Sequence, residues 1–297
     1  MEHESARRYK LWVNRTIEDK GASGSFQSPR NLTELLEALA EAGDDAVIIA
    51  GGQSLLPTLA RGAPPAICLI DVGRVAEMRK IVIASDTVEL GAATNFSEIL
   101  ASEVGRVLPA LAQALRCVGT FTIRNRATVG GSLAWADPRA QLPLVLLIHD
   151  AIVRTTLREL PIQEFIQGPF RSALKPGEVV TAVRVRHADH AHRAFAQLLD
   201  RNSAGKAIVS VALSRSLVDG AETLQYAVGG LADRPVRSPV LSLGKRSSVD
   251  SRAQAVAGWL EQASTANSLL ADPFHSVRYR REMAGVLIRR LDQEVPR

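Results

Sequence analysis

The chain has 297 residues, of which 46% are hydrophobic and 23% charged, so a disordered chain, a collagen-like repeat and a coiled coil are excluded. No run of roughly 18 apolar residues predicts a membrane span, and no apolar export-signal core follows the basic start of the chain. The formal charge is +5, but the basic residues are dispersed and aromatic residues make up only 4%, so nucleic-acid binding is not expected. These features predict a cytoplasmic protein of about two domains.

The cysteine content limits the redox chemistry that this chain can perform alone. Cys68 and Cys117 are the two cysteines of the sequence, too few for a disulfide framework. They are also too few for an iron–sulfur cluster, which takes about four thiolates. If the protein handles electrons, any cluster must therefore be on a partner.

The first half of the chain alternates helical and strand patterns. Residues 1–25 are polar, end in GASGS and predict an N-terminal extension. The elements then predicted are a leucine-rich helix that ends at Gly43, strands at 45–50 and 67–72, a hairpin of 80–85 and 88–92, helices at 97–103 and 107–117, an irregular basic stretch at 119–127, a buried helix at 142–148 and strands at 151–157 and 178–186.

The pattern changes after the polar loop that follows residue 186. Antiparallel strands at 207–214 and 223–228 precede helices at 249–263 and 276–291, which together predict a separate α+β unit. The predicted domains are an extension at 1–25, a domain at 26–188 with subdomains 26–80 and 81–188, and a C-terminal domain at 189–297.

Two glycine-containing segments are the strongest candidates for a binding site. AGGQSLLP at 50–57 and TVGGSLAWADP at 128–138 each place a glycine pair and a hydroxyl residue where an extended segment ends. Consecutive N–H groups at such a turn can form a nest for an anionic oxygen, and two facing nests would hold a pyrophosphate. Each segment alone could instead be an ordinary β-turn or bulge. GxGxxG and P-loop motifs are absent.

Other residues give weaker signals. His187, His190 and His192 lie close together with Asp189, a pattern that fits a solvated loop better than a metal site. Trp135 follows the second glycine pair and could border a ring-binding cleft or pack in the core. No residue is assigned as a catalytic acid or base, and no metal ligand is assigned.

Taken together, the two segments resemble the FAD-binding medium subunit of molybdenum hydroxylases, the xanthine dehydrogenase and carbon monoxide dehydrogenase family. The matching segments include AGGQSLLP at 50–57, LGAATNFSEI at 90–99, IRNRATVGGSLAWADP at 123–138, GPFRSALKPGE at 168–178, VGGLADRPVR at 228–237 and YRREMAGVLIRR at 279–290. The resemblance covers about residues 26–292. It implies an α+β fold with a two-subdomain FAD-binding domain of the PCMH/VAO type and a smaller α+β C-terminal domain.

The resemblance also implies FAD as the cofactor, with its pyrophosphate between the two glycine segments. The implied cofactor-binding residues are Ala50, Gly51, Gly52, Gln53, Ser54, Leu55, Thr128, Val129, Gly130, Gly131, Ser132, Gln141 and Val180. Gln141 stands where the family has an acidic residue on the ribose side, and Val180 falls near the isoalloxazine. Ala196 stands nearest to where many members carry a lysine, and Trp135 replaces a residue that is often histidine.

The function that the resemblance implies is electron transfer within an oxidoreductase. Electrons would pass from iron–sulfur clusters on a partner through FAD to NAD+, oxygen or a quinone-type acceptor. The implied partners are a 2Fe-2S small subunit and a molybdopterin large subunit, in a heterotrimer or a dimer of heterotrimers. The alternatives are a flavin-free scaffold subunit of the same fold and a stand-alone flavin oxidase.

Overall fold

The computed structural model of the chain describes residues 24–61, 67–187, 191–200, 206–218, 221–243, 249–266 and 272–294. Its helices are α1 (Leu32–Ala42), α2 (Leu55–Leu59), α3 (Phe96–Ala101), α4 (Val104–Val107), α5 (Pro109–Arg116), α6 (Phe121–Arg124), α7 (Val129–Trp135), α8 (Gln141–Ile148), α9 (Ile162–Phe165), α10 (Val249–Ala266) and α11 (Val277–Glu294). Short 3₁₀ turns lie at Gly43–Asp45, Val72–Arg74 and Ala76–Arg79.

The strands are β1 (Ser25–Gln27), β2 (Ala46–Ile49), β3 (Cys68–Asp71), β4 (Ile81–Ile83), β5 (Thr87–Gly91), β6 (Ile152–Thr155), β7 (Glu159–Pro161), β8 (Ile166–Gly168), β9 (Arg171–Ser172), β10 (Val180–Arg186), β11 (His192–Leu199), β12 (Ala207–Val218), β13 (Ala221–Gly229), β14 (Val236–Arg237) and β15 (Leu241–Leu243). This mixture of helices and strands confirms the predicted α+β class.

The N-terminal part of the described chain is a small parallel sheet in the order β1-β3-β2. Helix α1 packs against strand β3 and begins at Asn31, whose side chain accepts a hydrogen bond from the N–H of Glu34. The predicted leucine stripe buries Leu35, and the helix ends at Gly43 with φ +53°. The helix and both strands of this region are therefore confirmed.

The central sheet has five strands in the order β4-β5-β10-β6-β7, paired antiparallel throughout. The predicted hairpin is confirmed as β4 and β5. Residues 142–148 of α8 are all buried, as the unbroken apolar run predicts. The basic stretch predicted as irregular contains instead the short helix α6, because the side chain of Thr120 caps its first turn.

The third sheet, β11-β12-β13-β14 with β15 also on β13, lies between two layers of helices. One face packs on α5 and α8, and the other packs on α11. Side chains alternate accordingly along β12, where Ala212 belongs to the first core and its neighbours Val211 and Leu213 to the second. Two cores therefore share one sheet, and the domain division near residue 188 stays a prediction.

Candidate functional site

The first glycine segment turns the chain sharply at the end of strand β2. Gly52 has φ +72°, a left-handed conformation in which a residue with a Cβ is strained. Gly51 packs against the chain that precedes the second segment, since a Cβ added there would lie 1.8 Å from the carbonyl oxygen of Arg126. Both positions therefore require glycine, Gly52 for its φ angle and Gly51 for lack of space.

The backbone N–H groups of this turn are available to a ligand. Among the residues that the structure describes, no acceptor is found for the N–H groups of residues 52 to 55. The N–H of Leu56 is the first to be paired, donating to the carbonyl of Gly52 at 3.0 Å. Unpaired N–H groups in succession are suited to anionic oxygens. The geometry of this turn thus agrees with the predicted nest.

The second glycine pair lies in the first turn of helix α7 rather than in a loop. Thr128 is the N-cap, and its Oγ1 accepts a hydrogen bond from the N–H of Gly131 at 3.1 Å. The N–H groups of Val129 and Gly130 donate to carbonyl oxygens of the segment after β5, at 3.1 and 2.8 Å. These donors are already used inside the chain, so the prediction of a second nest is corrected. The segment can instead offer a ligand its hydroxyl groups and a backbone that the ligand can approach closely.

The fold brings the two glycine segments side by side. A Cβ added to Gly131 would lie 3.8 Å from the Cβ of Ala50. The chain before α7 is fixed by a hydrogen bond from the N–H of Phe96 to the carbonyl of Ala127, 3.0 Å long. An isolated β-bridge joins Asn95 to Thr128. Residues distant in the sequence therefore form one continuous surface.

A cleft of about 840 Å³ opens at this surface, within the ~300–1,000 Å³ typical of small-molecule sites. Apart from one residue, the predicted cofactor-binding residues all line it: Ala50, Gly51, Gly52, Gln53, Ser54, Leu55, Thr128, Gly130, Gly131, Ser132, Gln141 and Val180. Val129 is the exception, because its side chain is fully buried in the first core. The assignment of these residues to FAD stays a proposal.

Several other residues line the cleft that the sequence analysis did not assign to the cofactor. They are Phe170, Arg139, Glu178 and Lys206, together with Trp135, which is half-buried and borders the cleft rather than packing only in the core. Phe170 follows β8 and Lys206 directly precedes β12, so both come from parts of the chain far from the glycine segments. Sequence patterns do not show such juxtapositions, since they arise only when the sheets pack.

Glu178 fixes the turn that leads into strand β10. Its carboxylate is inaccessible to solvent and accepts hydrogen bonds from the Arg158 guanidinium at 2.9 and 3.1 Å and from the Thr155 hydroxyl at 2.7 Å. Burial alone would raise the pKa of this carboxyl group. The hydrogen bonds from Arg158, Thr155 and the Lys175 N–H outweigh burial and lower the pKa to about 2. Glu178 is therefore an ionised structural anchor at the cleft wall.

Gln141, at the first turn of α8, is held by strand β11. Its Nε2 donates to Oε1 of Gln197 at 3.0 Å. Ala196 lies on the opposite face of that strand and packs against the second core. Gln197 therefore faces Gln141, whereas Ala196, which stands nearest to the position of the family's lysine, faces the second core.

A buried ion pair ties the cleft to the C-terminal region. Nη2 of Arg139 lies 2.9 Å from Oδ2 of Asp272, which is only 4% exposed. Burial would raise the pKa of the Asp272 carboxyl, but the N–H groups of Phe274 and His275 and the nearby charges lower it below its usual value. The ionised pair holds the 137–141 edge of the cleft against the chain before α11.

The remaining sequence signals can be located in part. His187 contacts the carbonyl of Ala84 at 3.0 Å and His192 begins β11, whereas residues 188–190 lie outside the described residues. Within the described ranges, no group of three or more His, Cys, Asp and Glu side chains is placed to hold a metal ion. None of the described helices combines the length and the apolar character that crossing a bilayer requires.

Comparison with known proteins gives a consistent set of similarities. Residues 21–187 match the family model described as the FAD binding domain in molybdopterin dehydrogenase. The nicotine 6-hydroxylase medium subunit of Paenarthrobacter nicotinovorans is 32% identical, over 89% of this chain and 94% of that protein. The 6-hydroxypseudooxynicotine dehydrogenase complex subunit alpha of the same organism is 40% identical, over 52% of this chain and about half (54%) of that protein.

A solved structure has the same fold. A chain in the crystal structure of quinoline 2-oxidoreductase from Pseudomonas putida 86 superposes with a TM-score of 0.80 at 28% identity. The match covers 93% of this chain and 98% of that chain. The similarity therefore extends through both cores.

Proposed function

This chain belongs to the family of FAD-binding domains of molybdopterin dehydrogenases. We therefore propose that it takes electrons from iron–sulfur clusters on a partner and passes them through FAD held in the cleft. The final acceptor that we propose is NAD+, oxygen or a quinone-type compound. It is the FAD-binding oxidoreductase subunit of a molybdenum hydroxylase. The partners that we propose are a 2Fe-2S small subunit and a molybdopterin large subunit. The names of its relatives, a medium subunit and a complex subunit, support such a heteromeric assembly.

The observation that carries this proposal is the unpaired N–H run at residues 52–55, which opens onto a cleft of about 840 Å³. These groups would donate hydrogen bonds to the pyrophosphate oxygens, and the hydroxyl groups of Thr128 and Ser132 would approach the same oxygens from α7. Because Gly51 and Gly131 have no side chains, the two glycine segments can lie against each other and present both sets of groups to one ligand.

The chain's own residues also shape the rest of the cleft. The Gln141 amide, held by Gln197, would contact the ribose side of FAD, as the resemblance implies. Lys206 adds a positive charge to the lining of the cleft, whereas the charge of Arg139 is balanced by Asp272. Bound FAD would supply the redox chemistry, because a flavin accepts electrons one at a time and releases them singly or as a pair.

The visible absorption spectrum of the purified chain, before and after addition of FAD, tests the proposal. We expect a bound-flavin spectrum and release of free FAD on denaturation. Gly52→Val should lose the flavin, because a branched residue at φ +72° that also crowds Leu56 would force the turn and its N–H groups out of position. Gly43→Val is the matched control, since Gly43 also has a positive φ but no neighbour within 4 Å of an added Cβ. A folded wild-type chain that stays colourless with FAD, alone and with its partners, would contradict the proposal and favour a flavin-free scaffold.

The electron acceptor can be identified on the FAD-loaded chain under argon. NADH should bleach the flavin if NAD+ is the acceptor, because hydride transfer between the two is reversible. If NADH has no effect, the chemically reduced flavin is mixed with oxygen or a water-soluble quinone, and the faster reoxidation identifies the acceptor. A reduced flavin that reacts with none of the three would contradict this part of the proposal.

A further inference from the structure

A second cavity lies apart from the cleft that the glycine segments border. Its volume is about 410 Å³, within the ~300–1,000 Å³ typical of small-molecule sites. Helices α8, α9 and α10, strand β8 and the chain that enters β14 contribute its walls. The second cavity shares no lining residue with the cleft, so it is a separate site.

The walls of the second cavity are mainly apolar. Leu147, Ile162 and Ala263 are at most 6% exposed and form its buried side. Trp259, on α10, is half-buried and borders the same space. Walls of this kind favour a ligand with an apolar body, and above all a planar ring that can pack against an indole.

Two arginines line the second cavity, and their charges have different surroundings. Arg237 donates to the carbonyl of Leu147 at 2.9 Å and forms an ion pair with Asp150, so its charge is balanced within the chain. Arg234 makes one weak contact, from its Nη1 to the carbonyl of Gln167 at 3.4 Å. Among the residues that the structure describes, no carboxylate lies within 4 Å of the Arg234 guanidinium. The cavity therefore carries one unbalanced positive charge.

The chain that follows Arg234 fixes its position. Pro235 is buried and has a restricted φ angle, and Val236 pairs with Val228 of β13. The contact with Gln167 holds the guanidinium beside β8. A half-buried guanidinium next to apolar walls is suited to a carboxylate, which it can bind through two parallel hydrogen bonds.

We propose that the second cavity binds a small monocarboxylate with an aromatic body. The carboxylate pairs with Arg234, and the ring lies between Trp259 and the aliphatic side chains of α8 and α9. One unbalanced positive charge matches a single negative charge, and apolar walls cannot replace the hydration of a more highly charged group. The electron transfer proposed above does not use this cavity, so the site adds a binding function to the chain.

Isothermal titration calorimetry of the full-length chain with 2-naphthoate and with the uncharged 2-naphthylmethanol tests the proposal. We expect the wild type to bind 2-naphthoate more tightly than the alcohol. Arg234→Gln should weaken 2-naphthoate binding by at least about tenfold, because hydrogen bonds to a charged group are lost, and should leave the affinity for the alcohol unchanged. A wild type that does not prefer 2-naphthoate, or an Arg234→Gln variant that binds it as the wild type does, would overturn the inference.

Two further variants locate the bound probe. Lys206→Gln removes a positive charge from the cleft, and we expect it to bind 2-naphthoate as the wild type does. Ala263→Leu places a larger side chain in the second cavity and should prevent binding of both probes, with urea unfolding as the check that the variant is folded. A loss of affinity in Lys206→Gln, or wild-type affinity in folded Ala263→Leu, would place the probe elsewhere and overturn the inference.

Discussion

At the scale of single residues, the site depends on glycines with no room for a side chain and on one buried carboxylate. Gly51 contacts the carbonyl of Arg126, and this contact sets the distance between the two glycine segments. Glu178, another residue at the cleft, fixes the turn into β10 through its pair with Arg158. Small changes at these positions should alter both cofactor retention and stability.

Gly51→Ala should destabilise the protein by about 3 kcal/mol and lower FAD retention, because the added Cβ overlaps the Arg126 carbonyl and pushes the segments apart. Urea unfolding and the ratio of flavin to protein absorbance measure the two effects. Gly168→Ala is the control, since nothing lies within 4 Å of an added Cβ there. Equal behaviour of the two variants would refute the packing argument.

Glu178→Gln should remove part of the acid sensitivity of folding. The pKa of the Glu178 carboxyl is about 2 in the folded state and near 4.5 in the unfolded state. The ionised carboxylate therefore stabilises the folded state by about 3 kcal/mol above about pH 4.5, and this contribution is lost as pH falls through about 2. Urea unfolding between pH 5 and pH 3 should show a smaller loss of stability in Glu178→Gln than in the wild type. The exposed Glu37→Gln controls for the change in charge, and a wild-type slope in Glu178→Gln would count against this assignment.

At the scale of secondary-structure elements, helix α7 connects the place where the two glycine segments meet to the contact between Trp135 and Phe170. Its start is organised by Thr128, which caps the helix and also borders the cleft. Its remaining contacts are with β5, β9, β10 and α8. One helix therefore fixes two parts of the site at once.

Thr128→Ala should cost about 1 kcal/mol of stability, because the Gly131 N–H loses its cap, and FAD should bind more weakly. Asn31→Ala removes the cap of α1, a helix none of whose residues lines the cleft. We expect this control to keep wild-type FAD affinity in a titration followed by absorbance. If both variants weaken FAD binding equally, the effect of Thr128 is general and does not arise from its position at the cleft.

At the scale of the whole molecule, the third sheet and the chain before α11 support the cleft from outside the region that contains the glycine segments. Gln197 orients Gln141, and Asp272 pairs with Arg139. The C-terminal part is therefore coupled to the site through defined contacts as well as through the shared core.

Asp272→Ala should destabilise the chain by about 3 kcal/mol, because it leaves a half-buried guanidinium without its partner, and should weaken FAD binding through the loosened 137–141 edge. Glu103→Ala breaks the exposed pair with Arg106 and should change stability by less than about 0.5 kcal/mol. Urea unfolding of both variants, with and without FAD, measures the difference. Similar effects of the two substitutions would contradict the role given to the buried pair.

The sequence by itself determined much of the local structure and the requirement for glycine at the first glycine turn. Leucines at helical spacing, the apolar run at 142–148 and the hairpin pattern all specify local structure, because side-chain periodicity follows directly from helix and strand geometry. The glycine pair at Gly51 and Gly52 likewise marks a backbone conformation and a close approach that other residues do not permit.

Only the tertiary structure decided how those parts form a site. The N–H groups of Val129 and Gly130 donate to carbonyl oxygens of a segment some distance away in the sequence. The sequence alone does not show these acceptors, and for that reason it predicted a nest at the second glycine pair. The placement of Phe170 beside Trp135, and of Gln197 rather than Ala196 beside Gln141, depends on which strands pack together. Local periodicity carries no information about such long-range contacts, because they depend on how the sheets and helices stack.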